Sequence, residues 1–235
     1  MKESPILFNG EMVRAILDGR KTQTRRLLKP QPIFTWIGEN RYKWQCGNIE
    51  GSGSREAFVR RRECEPSVLG RPGDRLYVRE TFKNIASGEV KNGYGEVRYG
   101  FAYQADNATV WQKQMTVIHD LSGQPPSGPM QFKARPWKPS IHMPRNAARI
   151  WLEITDVRVQ ELNDISEDDA AAEGLTKSSI DSFRHGLARY VAECAGTPNR
   201  PAAYAFRELW MSVYGVDSWD VNPWVWAITF KRVQL

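Results

Sequence analysis

The sequence is poor in residues that bind metals or form disulfides. Only three cysteines and three histidines occur among its 235 residues. The cysteines are odd in number and lie far apart, no C-x-x-C pair exists, and no histidine stands at metal-ligand spacing from them. We therefore expect free thiols in a reducing cytoplasm, and chemistry that uses neither a metal nor another cofactor. The residues concerned are Cys46, Cys64, Cys194, His119, His142 and His185.

Long apolar runs are also missing. The first residues, Met1 to Pro5, are not followed by one. A membrane-spanning helix needs about 20 consecutive apolar residues. The sequence therefore predicts neither a secretory signal nor a membrane partner, and the expected location is the cytoplasm.

The overall composition is that of an ordinary globular protein. Hydrophobic residues make up 41% and charged residues 26%, and a chain of this length can bury a sizeable core. The net charge of +6, from 33 basic and 27 acidic residues, suits a polyanionic or phosphate-bearing partner but does not require one. The nine tryptophans are able to stack on bases as well as to fill a core.

Apolar periodicity predicts strands at both ends of the chain and in its middle. Helical patterns follow the first strand and recur late in the chain. This arrangement predicts an α+β fold around a mixed or antiparallel sheet, either open or closed into a small barrel. The predicted strands are 5–8, 22–28, 75–82, 99–104, 148–159 and 224–233. The predicted helices are 11–18, 167–173, 181–194 and 201–214, and Ser166 stands at capping-box spacing before the second of them.

Two regions show no clear pattern. They lie at about 33–70 and 84–139, and we interpret them as loop-rich insertions into a single domain of residues 1–235. The first contains the run Arg60-Arg61-Arg62. Such a run is more often a solvated patch than a nucleic-acid site.

The most unusual segment is Gly19–Arg26, which follows the first predicted helix. Gly19 stands where a C-terminal helix cap is expected. The positions after it hold one amine, two threonine hydroxyls and three guanidiniums, with no carboxylate. Composition alone leaves a basic surface strand as good an interpretation as a reactive site.

The order of motifs along the chain resembles that of the ASCH family, whose fold is PUA-like. The matching stretches are G-R-K-T-x-T-x-R at Gly19–Arg26, G-D-R-L at Gly73–Leu76, A-x-x-E-G at Ala170–Gly174, and the closing Trp226–Phe230. The surrounding sequence is similar to enlarged members found in bacteriophages and prophages. The resemblance covers both ends of the chain and implies a mixed β-barrel with flanking helices.

Compact bacterial members of this family include N4-acetylcytidine amidohydrolases, which use a lysine, a threonine and a glutamate. Carried over by the resemblance, these residues are Lys21, Thr24 and Glu173. The carboxylates at 167–169 compete for the role of the glutamate. The implied activity is metal-independent removal of an acyl group from the exocyclic N4 of a cytosine nucleoside. The implied partner is thus a modified cytidine nucleoside or RNA base.

Such an acyl transfer needs a nucleophile, a base and a group that stabilises the oxyanion. Lys21 can deprotonate the Thr24 hydroxyl only if burial and neighbouring cations lower its pKa substantially from about 10.4. Alternatively, Lys21 stays charged and steadies the oxyanion, while Glu173 is the base or positions the other two. Because side chains alternate along a strand, we expect Lys21 in the turn before the strand, or a kink near Thr22.

Other polar and aromatic residues are expected to line the pocket and to contact a base or phosphate. For His142, a place in the core is at least as good an interpretation. The predicted binding residues are Arg26, Arg79, Glu80, Trp137, His142 and Arg145.

Two other functions are compatible with the sequence. A non-catalytic reader of RNA, DNA or modified bases fits the charge of +6, and PUA-like domains commonly bind RNA. A nuclease also has family precedent, but we find no metal cluster or histidine pair for it. The sequence does not specify which acyl group is preferred or whether the substrate is a free nucleoside or part of a polymer. It does not specify the oligomeric state either.

Overall fold

The computed structural model describes residues 1–39, 41–65, 67–91, 94–118, 128–129, 135–182 and 200–234. In these ranges the chain is a mixed α+β protein, as the sequence predicted. It divides into two compact units, each assembled from segments that are distant in sequence. Unit 1 comprises Met1–Ser4, Ala15–Leu76 and Leu152–Leu235, and unit 2 comprises Pro5–Arg14 and Tyr77–Trp151.

The strands of the described ranges form three sheets. Their bounds are β1 (Glu3–Leu7), β2 (Gln23–Leu27), β3 (Ile33–Gly38), β4 (Arg41–Cys46), β5 (Ile49–Gly53), β6 (Arg75–Arg79), β7 (Phe82–Lys91), β8 (Tyr94–Tyr103), β9 (Thr109–Ile118), β10 (Gly128–Pro129), β11 (Trp151–Glu161) and β12 (Trp224–Val233). The strand orders are β1-β6-β11-β12-β2 in the five-stranded sheet, β10-β7-β8-β9 in the four-stranded sheet and β3-β4-β5 in the three-stranded sheet.

The helices largely agree with the prediction. They are α1 (Gly10–Leu17), α2 (Arg55–Glu63), α3 (Glu167–Ala172) and α4 (Pro201–Tyr214). The predicted cap of α3 is present, since the Ser166 hydroxyl accepts a hydrogen bond from the Asp169 amide at 3.1 Å. Most of the helix predicted at 181–194 lies outside the described residues. None of the described helices is long and apolar enough to cross a membrane.

No closed barrel is seen in the ranges that the structure describes. The five-stranded sheet has two edges, β1 and β2. The end of α3, and not a further strand, lies beside the start of β2. Lys21 and Glu173 form only an isolated antiparallel bridge there. A single bridge does not extend the sheet, so the sheet remains open on that side.

The two regions predicted to be loop-rich contain regular structure, and that prediction is wrong. The first holds β3, β4, β5 and α2, and the second holds most of β7 and all of β8 and β9. The strand predicted at 99–104 is the end of β8, which begins at Tyr94. Much of β3 and β4 is exposed to solvent, and β3 shows no alternation of apolar and polar residues. Strand β4 does alternate, with Tyr42, Trp44 and Cys46 on one side, but this signal is only six residues long.

Each unit has its own apolar core. In unit 1, side chains of α3, α4 and β12 pack together, and this packing fixes the position of α3. The core of unit 1 contains Leu162, Ile165, Ala170, Ala202, Ala203, Phe206, Trp210 and Val225. The core of unit 2 contains Phe82, Phe101, Tyr103, Met143 and Ala147.

Candidate active site

Lys21 lies in the connection between α1 and β2. Gly19 has a φ of 75°, a conformation that glycine adopts without steric cost, and the chain turns there after α1. The Lys21 amide then donates to the Ala15 carbonyl at 3.0 Å. Lys21 therefore lies two positions before the regular strand, which begins at Gln23.

The Lys21 ammonium is paired with Glu173. It donates to Glu173 Oε2 at 2.8 Å and to the Glu173 main-chain carbonyl at 2.8 Å. Glu173 caps the C-terminus of α3, where carbonyls lack partners within the helix. Lys21 is 2% exposed and Glu173 is 4% exposed, so the ion pair is almost completely withdrawn from water.

Arg25 binds the other carboxylate oxygen of Glu173. Its Nη1 lies 3.1 Å from Glu173 Oε1, and its Nη2 lies 3.1 Å from Asp169 Oδ2. The guanidinium is fully buried and lies over the Phe206 ring, 5.7 Å from its centroid. Each oxygen of Glu173 therefore accepts a hydrogen bond from a different cation.

Gln23 joins the same network from β2. Its Oε1 accepts from Arg25 Nη1 at 2.5 Å, and its Nε2 donates to Asp169 Oδ1 at 3.0 Å. It also reaches the Thr229 hydroxyl on β12 at 3.2 Å. Arg158 contacts Asp169 Oδ2 at 3.2 Å. The segment before and within β2 is thus connected to α3 by a continuous set of charged and polar contacts.

The pKa of Lys21 is lower than that of an ordinary lysine. Burial is the main cause, because it disfavours the charged form; Arg26 and Arg25 add to the lowering, while Glu173 opposes it. Partial burial works to raise the pKa of Asp169, but hydrogen bonds from Arg158 and Gln23 hold it below its ordinary value.

Thr24 lies on β2 opposite Ile228 of β12. It is 4% exposed, and its hydroxyl takes part in none of the hydrogen bonds found within the described ranges. The structure therefore brings Lys21 and Glu173 together but does not join Thr24 to either of them by a hydrogen bond. Thr24 stands between Gln23 and Arg25 on β2, so its side chain points to the opposite side of the strand from theirs. Arg26 is half-buried and close enough to Lys21 to lower its pKa.

The other predicted binding residues belong to unit 2. Arg79 donates to the main-chain carbonyls of Met143, at 2.8 Å, and of Ile141. Glu80 is buried, and its two carboxylate oxygens accept from Arg149, each at 2.8 Å. Both side chains are engaged in contacts that hold unit 2 together.

Trp137, His142 and Arg145 are placed differently. Trp137 lies beneath the Lys83 ammonium, which is 4.5 Å from the ring centroid. Arg145 lies over the Trp151 ring at 5.1 Å. His142 is exposed in a short 3₁₀ turn, so the interpretation of it as a core histidine is wrong.

Gln23 was not predicted as a member of the network, Arg25 was expected only as a neighbouring cation, and Asp169 only as a competitor of Glu173. Two spacings indicate them. Lys21, Gln23 and Arg25 stand at intervals of two, and Asp169 precedes Glu173 by four positions. Intervals of two share a side of an extended segment, and intervals of four share a face of a helix.

Replacing Gly174 with alanine should destabilise unit 1. Gly174 has a φ of +95°, and an added Cβ would lie 2.8 Å from Lys21 Cβ and 3.0 Å from Ala15 Cβ. We expect a loss of roughly 2–4 kcal/mol in the free energy of unfolding, from backbone strain and overpacking together. Urea denaturation measures this loss. Gly73 is the matched control, because its φ is +90° and an added Cβ meets nothing within 4 Å. If Gly73→Ala is as costly as Gly174→Ala, close packing around Lys21 is not the cause.

Comparison of the chain with protein-family models, with curated proteins and with solved structures gives no match.

Proposed function

We propose that the protein is a PUA-like amidohydrolase of the ASCH type that removes acyl groups from the exocyclic N4 of cytosine nucleosides. Lys21, Thr24 and Glu173 are the proposed catalytic group. The motif order in the sequence supports the family, and the contacts around Lys21 support the reaction.

The observation that carries the proposal is the buried Lys21–Glu173 pair, 2.8 Å apart. Lysine is almost never fully buried unless it is paired. Apolar residues of similar volume often stabilise a fold as well as a buried ion pair does. A buried lysine with a lowered pKa is therefore a candidate for acid–base chemistry. Both Glu173 oxygens already accept hydrogen bonds from Lys21 and Arg25, which favours a positioning role for Glu173. The lowered pKa of Lys21 favours the base role for Lys21, in its neutral form.

In the proposed reaction Lys21 acts as the neutral amine: Thr24 Oγ1 attacks the acyl carbonyl carbon while Lys21 Nζ takes the hydroxyl proton. The C–N4 bond then breaks, and the same proton passes to N4, which leaves as the amine of cytidine. Water hydrolyses the resulting acyl-threonine ester and releases the carboxylic acid. Lys21 and Thr24 are both buried, so substrate binding must open a path to them. Binding must also bring the Thr24 hydroxyl and the Lys21 amine within hydrogen-bond distance of each other.

The test is incubation of the purified protein with N4-acetylcytidine in the presence of a metal chelator, with acetate and cytidine measured separately. We expect equal amounts of the two products. Lys21→Met should abolish release, while the matched control Lys177→Met should not, because Lys177 is an exposed lysine of the same unit. Longer acyl analogues and an acetylated RNA oligomer extend the test to the substrate range.

A folded protein that leaves all of these substrates intact would overturn the proposal. If that protein still binds RNA, and the binding weakens steeply with salt because counterions are released, a non-catalytic reader is the correct function. Release that is equal in wild type and Lys21→Met would remove Lys21 from the reaction.

The free energy of unfolding should depend on pH through Lys21. Its pKa is depressed in the folded state, so below about 10.4 there is a window in which the unfolded chain binds more protons. Stability then rises with pH in this window and is lost as pH falls. We expect the stability of wild type relative to Lys21→Met to increase as the pH rises toward about 10.4. Urea denaturation at several pH values measures it, and a flat or falling difference would contradict the lowered pKa.

A further inference from the structure

The three-stranded sheet of unit 1 has an unusual edge at β3. In the ranges that the structure describes, β4 is the strand paired with β3, so the opposite edge of β3 has no strand partner there. An edge strand presents a row of main-chain donors and acceptors that can pair with another strand. Natural edges are usually protected by charges, prolines or bulges within the strand.

Beta strand β3 carries only part of this protection: its register with β4 shifts between Trp36 and Gly38, but charges and prolines are missing from it. Its sequence, Ile33-Phe34-Thr35-Trp36-Ile37-Gly38, has no charged residue. Ile33 is 67% exposed, Trp36 is 67% exposed and Ile37 is 52% exposed. Three large apolar side chains therefore face solvent on one six-residue strand. They lie next to a strand edge whose main chain is able to form hydrogen bonds with another strand.

The strand is also complementary to itself. If two copies pair antiparallel about a two-fold axis at Thr35, Ile33 faces Ile37 of the other copy, Phe34 faces Trp36, and the two Thr35 residues face each other. Aromatic–aromatic, β-branched and threonine–threonine pairs are among the favourable cross-strand pairs. No like charges within β3 become opposed, because the strand has none.

We infer that β3 is a self-association surface, through which two copies of this chain form a dimer with a continuous six-stranded sheet. The order of this sheet is β5-β4-β3-β3-β4-β5. A two-fold interface uses the same patch on both copies, as the pairing about Thr35 does. This inference is independent of the proposed reaction, because it uses no residue of the candidate active site.

The test uses the full chain in sedimentation or light scattering over a range of concentrations. Wild type should approach twice the 26.9 kDa mass of one chain. Thr35→Glu should raise the dissociation constant of the dimer about tenfold or more, because it places like charges opposite each other across the axis. Within one chain, position 35 faces Lys43 of β4, so a glutamate there does not disturb the protomer.

A mixture distinguishes pairing at β3 from general surface effects. Thr35→Lys should weaken the dimer in the same way, and circular dichroism checks that its proximity to Lys43 of β4 leaves the protomer folded. An equimolar mixture of Thr35→Glu and Thr35→Lys should dimerise more tightly than either variant alone. Val68→Glu is the control, since Val68 is 75% exposed and lies outside β3, and it should leave the dimer intact. Circular dichroism checks that each variant is folded. The inference is overturned if wild type remains monomeric at every concentration, or if folded Thr35→Glu and Thr35→Lys each dimerise as wild type does.

Discussion

Thr24→Val should reduce the release of acetate from N4-acetylcytidine on the order of 10³-fold or more, with little change in the free energy of unfolding. Valine has nearly the shape of threonine but lacks the proposed nucleophile. Within the described ranges the Thr24 hydroxyl takes part in no hydrogen bond, so its removal leaves no buried partner unpaired. Product release measured beside urea denaturation separates loss of chemistry from loss of fold.

Two matched variants complete this experiment. Thr24→Ser keeps a hydroxyl at the same position and should retain part of the activity. Thr22→Val removes the hydroxyl of an exposed threonine two positions away and should have no effect. Full activity in Thr24→Val, together with an inactive Lys21→Met, would show that water is the nucleophile and that Thr24 has no covalent role.

Glu173→Gln should destabilise the protein by about 3–5 kcal/mol. The substitution conserves shape but leaves the charges of Lys21 and Arg25 without the carboxylate between them, and Lys21 is only 2% exposed. The free energy of unfolding from urea denaturation measures the effect. Glu153→Gln is the control, since Glu153 pairs with Lys231 at 2.9 Å on the surface. Exposed ion pairs contribute at most about 1 kcal/mol.

A double variant tests whether the cost arises from the ion pair itself. Lys21→Met combined with Glu173→Leu removes both charges. The loss of stability in this double variant should be smaller, by about 1 kcal/mol or more, than the loss in Lys21→Met alone plus the loss in Glu173→Leu alone. Additive losses would mean that Lys21 and Glu173 are not energetically coupled, and would contradict the pair seen at 2.8 Å.

The sequence predicted best where a local signal decides the local structure. Helix α4 begins at Pro201 and ends before Gly215, both of which are strong helix boundaries. Gly19 has the positive φ that its position after α1 suggested. Strand β12, with its apolar alternation, spans Trp224–Val233. Each of these features depends on residues that are close together in the sequence.

The prediction was wrong where burial is partial. Strands β3 and β4 expose many of their residues, and β7, β8 and β9 contain glycine and charged residues at intervals. In β7 and β8 glycine and charged residues interrupt the apolar alternation, so these strands resemble loops in sequence. In β4 the alternation is present, but it covers only six residues. Main-chain pairing between neighbouring strands stabilises them, and this pairing leaves only a weak pattern in any single strand.

The sequence by itself determined which residues are chemically suited to a site, because the motif order around Lys21 and Thr24 and the acidic end of α3 are visible in it. The tertiary structure alone decided that Glu173, 152 positions from Lys21, is the carboxylate that reaches the ammonium. It also decided that Arg25 and Asp169 share the network. The physical reason is that the cost of burying a charge depends on which groups surround it in space, and the packing of α3 against α4 and β12 sets those surroundings.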